Sequence, residues 1–122
     1  MKKSLAVLVV EDSEDLAELA QLILTSKGHR VFKSRSGEAA LEQLGREPID
    51  VLLLDLTLPD IDPQEFMQRL KADGKGQNVS VVLVSGRADI DEWAQRFGGI
   101  PCLRKPYDFN SLIETVESSG KA

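Results

Sequence analysis

The sequence predicts an α/β protein, a (βα)5 chain in which five strands alternate with five helices around a doubly wound parallel sheet. Two observations predict it. Leu5–Val10, Ile49–Leu54 and Val79–Val84 are short, Val- and Leu-rich and almost continuously apolar. Strands of a parallel sheet covered on both faces read this way, whereas a sheet with one wet face would alternate. Between such runs the apolar residues fall at i, i+3, i+4 and i+7, the stripe of an amphipathic helix. Five repeats of this alternation call for right-handed crossovers with helices on both faces. At 122 residues the chain has the size of one domain, residues 1–122, with no output domain expected in it.

The elements follow in order. The first strand, Leu5–Val10, stops at Glu11–Asp12, and Ser13 stands ready to cap the first helix. That helix carries the stripe Leu16, Leu19, Ala20 and Ile23, and Gly28 is placed to end it. His29 has no partner nearby in sequence and is expected to be a solvated loop residue. Arg30–Lys33 forms the second strand, and Ser36 caps a helix with Ala40, Leu41 and Leu44 on its apolar side. Ile49–Leu54 runs straight into Asp55. Asp62, Pro63 and Glu65 then supply an N-cap, a first-turn proline and an N3 glutamate, followed by the stripe Phe66, Met67 and Leu70.

The polar, Gly-rich stretch Lys71–Gln77 is expected to be the most mobile connection. Val79–Val84 ends at Ser85–Gly86. Ile90, Trp93, Ala94 and Phe97 mark the fourth helix, assigning Trp93 to packing rather than to an exposed anchor. Pro101–Arg104 is the fifth strand, where Cys102 is expected as an inert small side chain. Asp108 caps the last helix, with the stripe Phe109, Leu112, Ile113 and Val116, and Ser118–Ala122 are expected to fray.

Composition removes several classes. Fifteen basic against twenty acidic residues give a net charge of −5, with no basic run, so direct nucleic-acid binding is not expected. One cysteine forms no internal disulfide. Lys2 and Lys3 before an apolar run imitate a secretory signal, but the run stops after six residues without a small-residue cleavage site. No stretch approaches the roughly 20 apolar residues of a membrane span. A cytoplasmic protein without membrane insertion is expected.

In open α/β sheets function gathers at the carboxyl ends of the strands, near the reversal of strand order. There the chain places Glu11 and Asp12, Asp55, Ser85 and Gly86, and Lys105 and Pro106. Asp12 taken alone reads rather as a helix cap. Asp55, ending an apolar strand, is costly to bury unpaired. Three crowded carboxylates call for a cation, and hard oxygen donors favour Mg²⁺ or a similar divalent ion such as Mn²⁺. A carboxylate beside such an ion is a nucleophile toward phosphorus. The Lys105 ammonium and Ser85 hydroxyl would hold further phosphoryl oxygens.

These pieces together resemble the receiver domain of two-component response regulators. The resemblance rests on Glu11–Asp12, LLLDLTLPDID at 52–62, VSG at 84–86 and RKPY at 104–107, and it spans nearly the whole chain. It implies the flavodoxin-like strand order 2-1-3-4-5. It makes Asp55 the phosphoacceptor, with Glu11 or Asp12, Asp55 and the Thr57 backbone carbonyl as metal ligands. Ser85 would swing toward the phosphoryl group, Lys105 would pair with it, and the Lys105–Pro106 peptide would be cis. Thr57 and Arg87 occupy positions that influence phosphoryl lifetime, and Tyr107 is expected on the surface beside the site.

The phosphodonor is implied to be a histidine kinase or histidine phosphotransfer protein, docking near Asp15 and Leu16. Phosphorylation would act on a downstream protein through the fourth helix, fifth strand and fifth helix, or through a homodimer. The chain would be a phosphoacceptor switch that assists its own phosphotransfer and dephosphorylation rather than a turnover enzyme. Two residues depart from the family. Pro63 stands where glycine is usual, and Cys102 where an aromatic ring usually rotates, which shifts the expected signal to the loop after Ser85 or to Tyr107. A docking module working without phosphorylation is the alternative reading. An aspartate-nucleophile phosphatase is more remote, because Thr57 occupies the slot of its second aspartate.

Overall fold

A computed structural model describes residues 4–72, 74 and 78–120. The elements are β1 (Ala6–Val10), α1 (Glu14–Thr25), β2 (Arg30–Ser34), α2 (Gly37–Leu44), β3 (Val51–Asp55), α3 (Pro63–Ala72), β4 (Ser80–Ser85), α4 (Ile90–Arg96), β5 (Cys102–Arg104) and α5 (Phe109–Gly120). All strands pair in parallel, in the order β2-β1-β3-β4-β5. This is the expected flavodoxin-like sheet.

Its pleat explains the continuous apolar runs. Along β1, Ala6, Leu8 and Val10 point into one core with residues of α2, α3 and α4. Val7 and Val9 point into the other, with Leu5 and residues of α1 and α5. Every β1 and β3 position is buried, so neither face can be polar. The helices of the three connections leading toward β5 share one face, and α1, which leads the opposite way, lies on the other. A common crossover hand requires this division. The sheet therefore reverses between β1 and β3, and a crevice opens at their carboxyl ends.

The caps form as expected. Ser13 Oγ accepts from Leu16 N, Ser36 Oγ from Ala39 N, Asp62 Oδ1 from Glu65 N and Asp108 Oδ1 from Ser111 N. Gly28 turns the chain out of α1 with φ 88°. Pro63 starts α3 in the first-turn position where its missing N–H is harmless.

Four expectations are corrected. Leu16 and Leu19 are 40% and 41% exposed, and the buried face of α1 is Ala17, Ala20, Ile23 and Leu24. Both sets satisfy helical spacing, so the period alone does not fix which one meets the sheet. Phe109 is exposed for the same reason, while Leu112 and Val116 are buried. Ser118 to Gly120 are helical rather than frayed, because Gly120 lies so close to Leu5 that a Cβ there would fall 2.6 Å from it. The remaining residues of that expectation, 121 and 122, lie outside those described. So do 73 and 75–77 of the expected mobile connection; Lys71 and Ala72 close α3, and Gly74 has φ 70°.

The fourth correction is His29, which is buried rather than solvated. Its Nδ1 accepts the Leu5 N–H at 3.0 Å, so the ring proton sits on Nε2, 2.8 Å from Glu117 Oε2. The imidazole thus joins the start of β1 to α5, with Glu117 lying 88 positions beyond it in sequence. Replacing His29 with Ala removes both bonds beneath a packed helix and is expected to cost about 2–3 kcal/mol in urea unfolding. His29→Gln should recover part of that loss.

Candidate functional site

The crevice is a cleft of about 400 Å³ lined by Glu11, Asp12, Ser13, Leu16, Asp55, Thr57, Ser85, Gly86, Arg87 and Lys105. All the residues expected at the strand ends meet there except Pro106, which borders an adjoining apolar groove. Glu11 and Asp55 are buried at its base, 6% and 5% exposed, and Asp12 is at its mouth. Oxygens of these three carboxylates lie within 4.8 Å of one another. The structure gives the capping role to Ser13, which leaves Asp12 to the acidic group.

Strand register sets this geometry. Val10 pairs with Leu54, so Glu11 and Asp55 leave adjacent strands at one level. Ser85 pairs with Arg104, and Lys105 N donates to Ser85 O at 3.0 Å, carrying Lys105 to the same rim. The Lys105–Pro106 peptide is cis. Lys105 Nζ reaches Glu11 Oε1 at 2.6 Å and Asp55 Oδ2 at 3.0 Å. Asp55 Oδ1 accepts from Thr57 N at 2.9 Å, and Glu11 Oε2 from Ser13 N at 3.2 Å.

Electrostatics follow. Burial, with the Asp55 carboxylate alongside, pushes the Glu11 carboxyl above its ordinary value despite the lysine. Burial works against the Lys105 ammonium, but the two carboxylates outweigh it and hold its pKa above the usual lysine value. One ammonium among three carboxylates leaves excess negative charge in a partly desolvated cleft. The donors are all hard oxygens on a preset strand register, so the group fits Mg²⁺ or Mn²⁺, for which open positions filled by water are usual. Thr57 lies on the cleft wall.

Ser85 is fully enclosed, and its Oγ accepts from Arg87 N at 3.0 Å. Tyr107 is half-buried rather than on the surface, and burial raises its phenol pKa. With Leu16, Leu19, Lys105 and Pro106 it lines an apolar groove of about 340 Å³ beside the cleft. Cys102 is partly buried, with Sγ 3.4 Å from Asp91 Oδ1, and burial raises its thiol pKa. That favours the protonated, unreactive thiol. Trp93 is also only half-buried, with its indole N–H on Asp89.

Sequence reading missed the support for the loop after Asp55. Asp60 accepts from Gly37 N at 3.0 Å and Glu38 N at 2.9 Å, pinning the loop to the start of α2. Gly37 is required there, because a Cβ would collide with Ile61. Within PDID, Asp60 reads only as a turn residue; its role depends on a helix start 23 positions away.

The match to the family model for the response regulator receiver domain covers residues 7–117. The chain belongs to this family. It is 30% identical over 115 residues to the polar-differentiation response regulator DivK of Brucella ovis, covering 93% of this chain and 94% of that one. A putative response regulator from Chloroflexus aurantiacus superposes with TM-score 0.88 at 26% identity, covering 98% and 100% of the two chains. The receiver domain of sensor histidine kinase PA1611 from Pseudomonas aeruginosa, crystallised with magnesium coordinated in its active site cleft, superposes with TM-score 0.86 at 22% identity, covering 98% and 100%. The chain spans 90% of one curated relative it matches and 47% or 26% of others. Receiver domains are regulatory modules rather than classical enzymes, and they interact with histidine kinases or phosphotransfer proteins. Among the described residues, no helix is long and apolar enough to cross a membrane.

Burial opposes ionisation of Asp60, but the Glu38 and Gly37 N–H groups outweigh it and hold its carboxyl below the ordinary aspartate value. A depressed folded pKa contributes stability that is present above about pH 4 and is lost as pH falls through the lower folded value. Asp60→Ala should lack this part of the acid-unfolding profile and lose about 1 kcal/mol at neutral pH, read by urea titrations across that range.

Proposed function

We propose that the chain is a phosphoacceptor switch that takes a phosphoryl group from a phosphohistidine of a kinase or phosphotransfer protein onto Asp55. The single observation carrying this reading is the setting of the Asp55 carboxylate. It is buried at a sheet switch point, within hydrogen-bonding reach of an ammonium, and belongs to an acidic group whose donors suit a divalent ion.

In this reading an Asp55 oxygen attacks phosphorus, the phosphorus–nitrogen bond of the donor breaks, and the imidazole leaves with the bonding pair. The product is an acyl phosphate. Lys105, charged across the physiological range, leaves its contact with Asp55 Oδ2 to take a phosphoryl oxygen. Ser85 donates its hydroxyl to another. Glu11, Asp12, Asp55 and the Thr57 carbonyl would hold Mg²⁺ or Mn²⁺, which when bound supplies neutralisation of the transferring group's charge. Arg87 and Thr57, on the cleft wall, would govern access of water to the acyl phosphate.

Leu16 and Leu19, exposed beside the cleft, would form with Pro106 and Tyr107 the docking face for the phosphodonor in the cytoplasm. The modified state would favour one arrangement of α4, β5 and α5, and so change what a downstream protein or a second copy of the chain meets there.

Treatment with acetyl phosphate and Mg²⁺ is expected to add one phosphoryl mass to the wild type. Asp55→Asn should gain none, chelation should abolish labelling, and Lys105→Met should slow it on the order of a hundredfold. An equal gain on Asp55→Asn would reassign the acceptor. No gain on wild type, with partner binding intact, would favour the phosphorylation-independent docking module, and steady phosphomonoester turnover the phosphatase.

Leu16→Asp with Leu19→Asp separates docking from chemistry. Transfer from a phosphorylated histidine donor should fall at least tenfold in a gel-shift time course, with labelling by acetyl phosphate retained.

A further inference from the structure

Between the cleft and α4 lies a chain of contacts that the phosphoacceptor chemistry does not use. Ser85 Oγ accepts the Arg87 N–H at 3.0 Å. The Arg87 guanidinium grips Asp89 with two bonds, Nε to Oδ1 at 3.0 Å and Nη2 to Oδ2 at 2.8 Å. The same Asp89 Oδ2 takes the indole N–H of Trp93 at 3.0 Å. Arg87 and Arg96 lie 6.0 and 4.5 Å from the centroid of the Trp93 ring.

Asp89 is the N-cap residue of α4, yet its side chain makes no capping hydrogen bond. Aspartate is among the strongest N-caps because its carboxylate satisfies N–H groups of the first turn. Here Arg87 and Trp93 hold that carboxylate instead. Asp89 stands at φ −91° and ψ 14°, outside the extended conformation from which an N-cap side chain reaches those amides, so engaging them requires its backbone to turn as well.

We propose that Asp89 is a two-position latch, held by Arg87 and Trp93 in the unmodified protein and released to cap α4 when Ser85 turns to an occupied Asp55. The latch rests on the reading of Asp55 as phosphoacceptor. A serine hydroxyl that turns to donate to a phosphoryl oxygen carries its lone pairs away from the Arg87 N–H. Gly86 sets little resistance to movement of the freed loop. As that loop turns, the guanidinium leaves Asp89, the Asp89 backbone becomes extended so that its carboxylate reaches the amides of Asp91 and Glu92, and the indole loses its acceptor. Arg104, bonded to both Arg87 O and Asp91, carries the same change to β5. A surface signal thereby arises without an aromatic side chain at position 102.

Trp93 is the only tryptophan in the sequence, so its indole N–H resonance reports the latch directly. The full chain is titrated with beryllofluoride and Mg²⁺; bound fluorine signals report occupation, and acetyl phosphate labelling followed by intact mass reports the acceptor. Occupation is expected to shift the wild-type indole resonance. In Arg87→Gln the indole should start displaced and move little further, and the Asp91 and Glu92 amides should exchange about fivefold more slowly because Asp89 caps them. Bound beryllofluoride with a stationary wild-type indole overturns the latch and leaves the phosphoacceptor reading standing. Unchanged amide exchange in Arg87→Gln overturns it too. Neither beryllofluoride binding nor a mass gain on the wild type overturns both.

Discussion

One ammonium ion between two buried carboxylates is the contact on which the cleft depends. Lys105 lies 2.6 Å from Glu11 and 3.0 Å from Asp55, groups that arrive from different strands. Removing carboxylates from water is expensive unless a partner compensates. The lysine offsets both, and the exposed Asp12 adds a further negative charge at the mouth. The residual negative charge makes the cleft compatible with a divalent cation.

Rigid support on both sides makes that balance usable. The sheet register brings Glu11, Asp55, Ser85 and Lys105 to one level, and the two apolar cores prevent the strands from slipping. The loop leaving Asp55 is tied by Asp60 to α2, with Glu38 and Arg69 joined by a second pair of bonds nearby. The loop leaving Ser85 is held differently, by the Arg87 N–H on Ser85 and by exposed Arg–Asp pairs. The buried hydrogen bonds of one half hold the carboxylates in place, and the half tied by exposed ion pairs adjoins α4.

The apolar surface is divided in the same way. Leucines that a core-facing stripe would bury stand at the cleft edge on α1, beside Pro106 and Tyr107. Alanines at positions 17 and 20 take their place under the helix and let it lie close to the sheet. The result is a close-packed helix with an apolar outer edge next to a polar cleft.

The sequence by itself determined the strands, the helices and their caps, because continuous Val and Leu runs and 3.6-residue periods are local consequences of burial. It also determined which side chains share the rim: in a parallel sheet, residues after successive strands end on one side. Helical spacing could not choose between Leu16 and Ala17, since neighbouring stripes fit the same period and only docking on the sheet separates them. His29, Asp60 and Asp89 were illegible for a related reason. Their partners are Leu5 and Glu117, the α2 amides, and Arg87 with Trp93, and two of these three sets lie more than twenty positions away. For Asp89 the partners are near, but local sequence allows the carboxylate either to cap a helix or to hold an arginine. Only the tertiary structure decides among such choices, because each depends on which donors the packed chain brings within about 3 Å of the carboxylate or ring nitrogen.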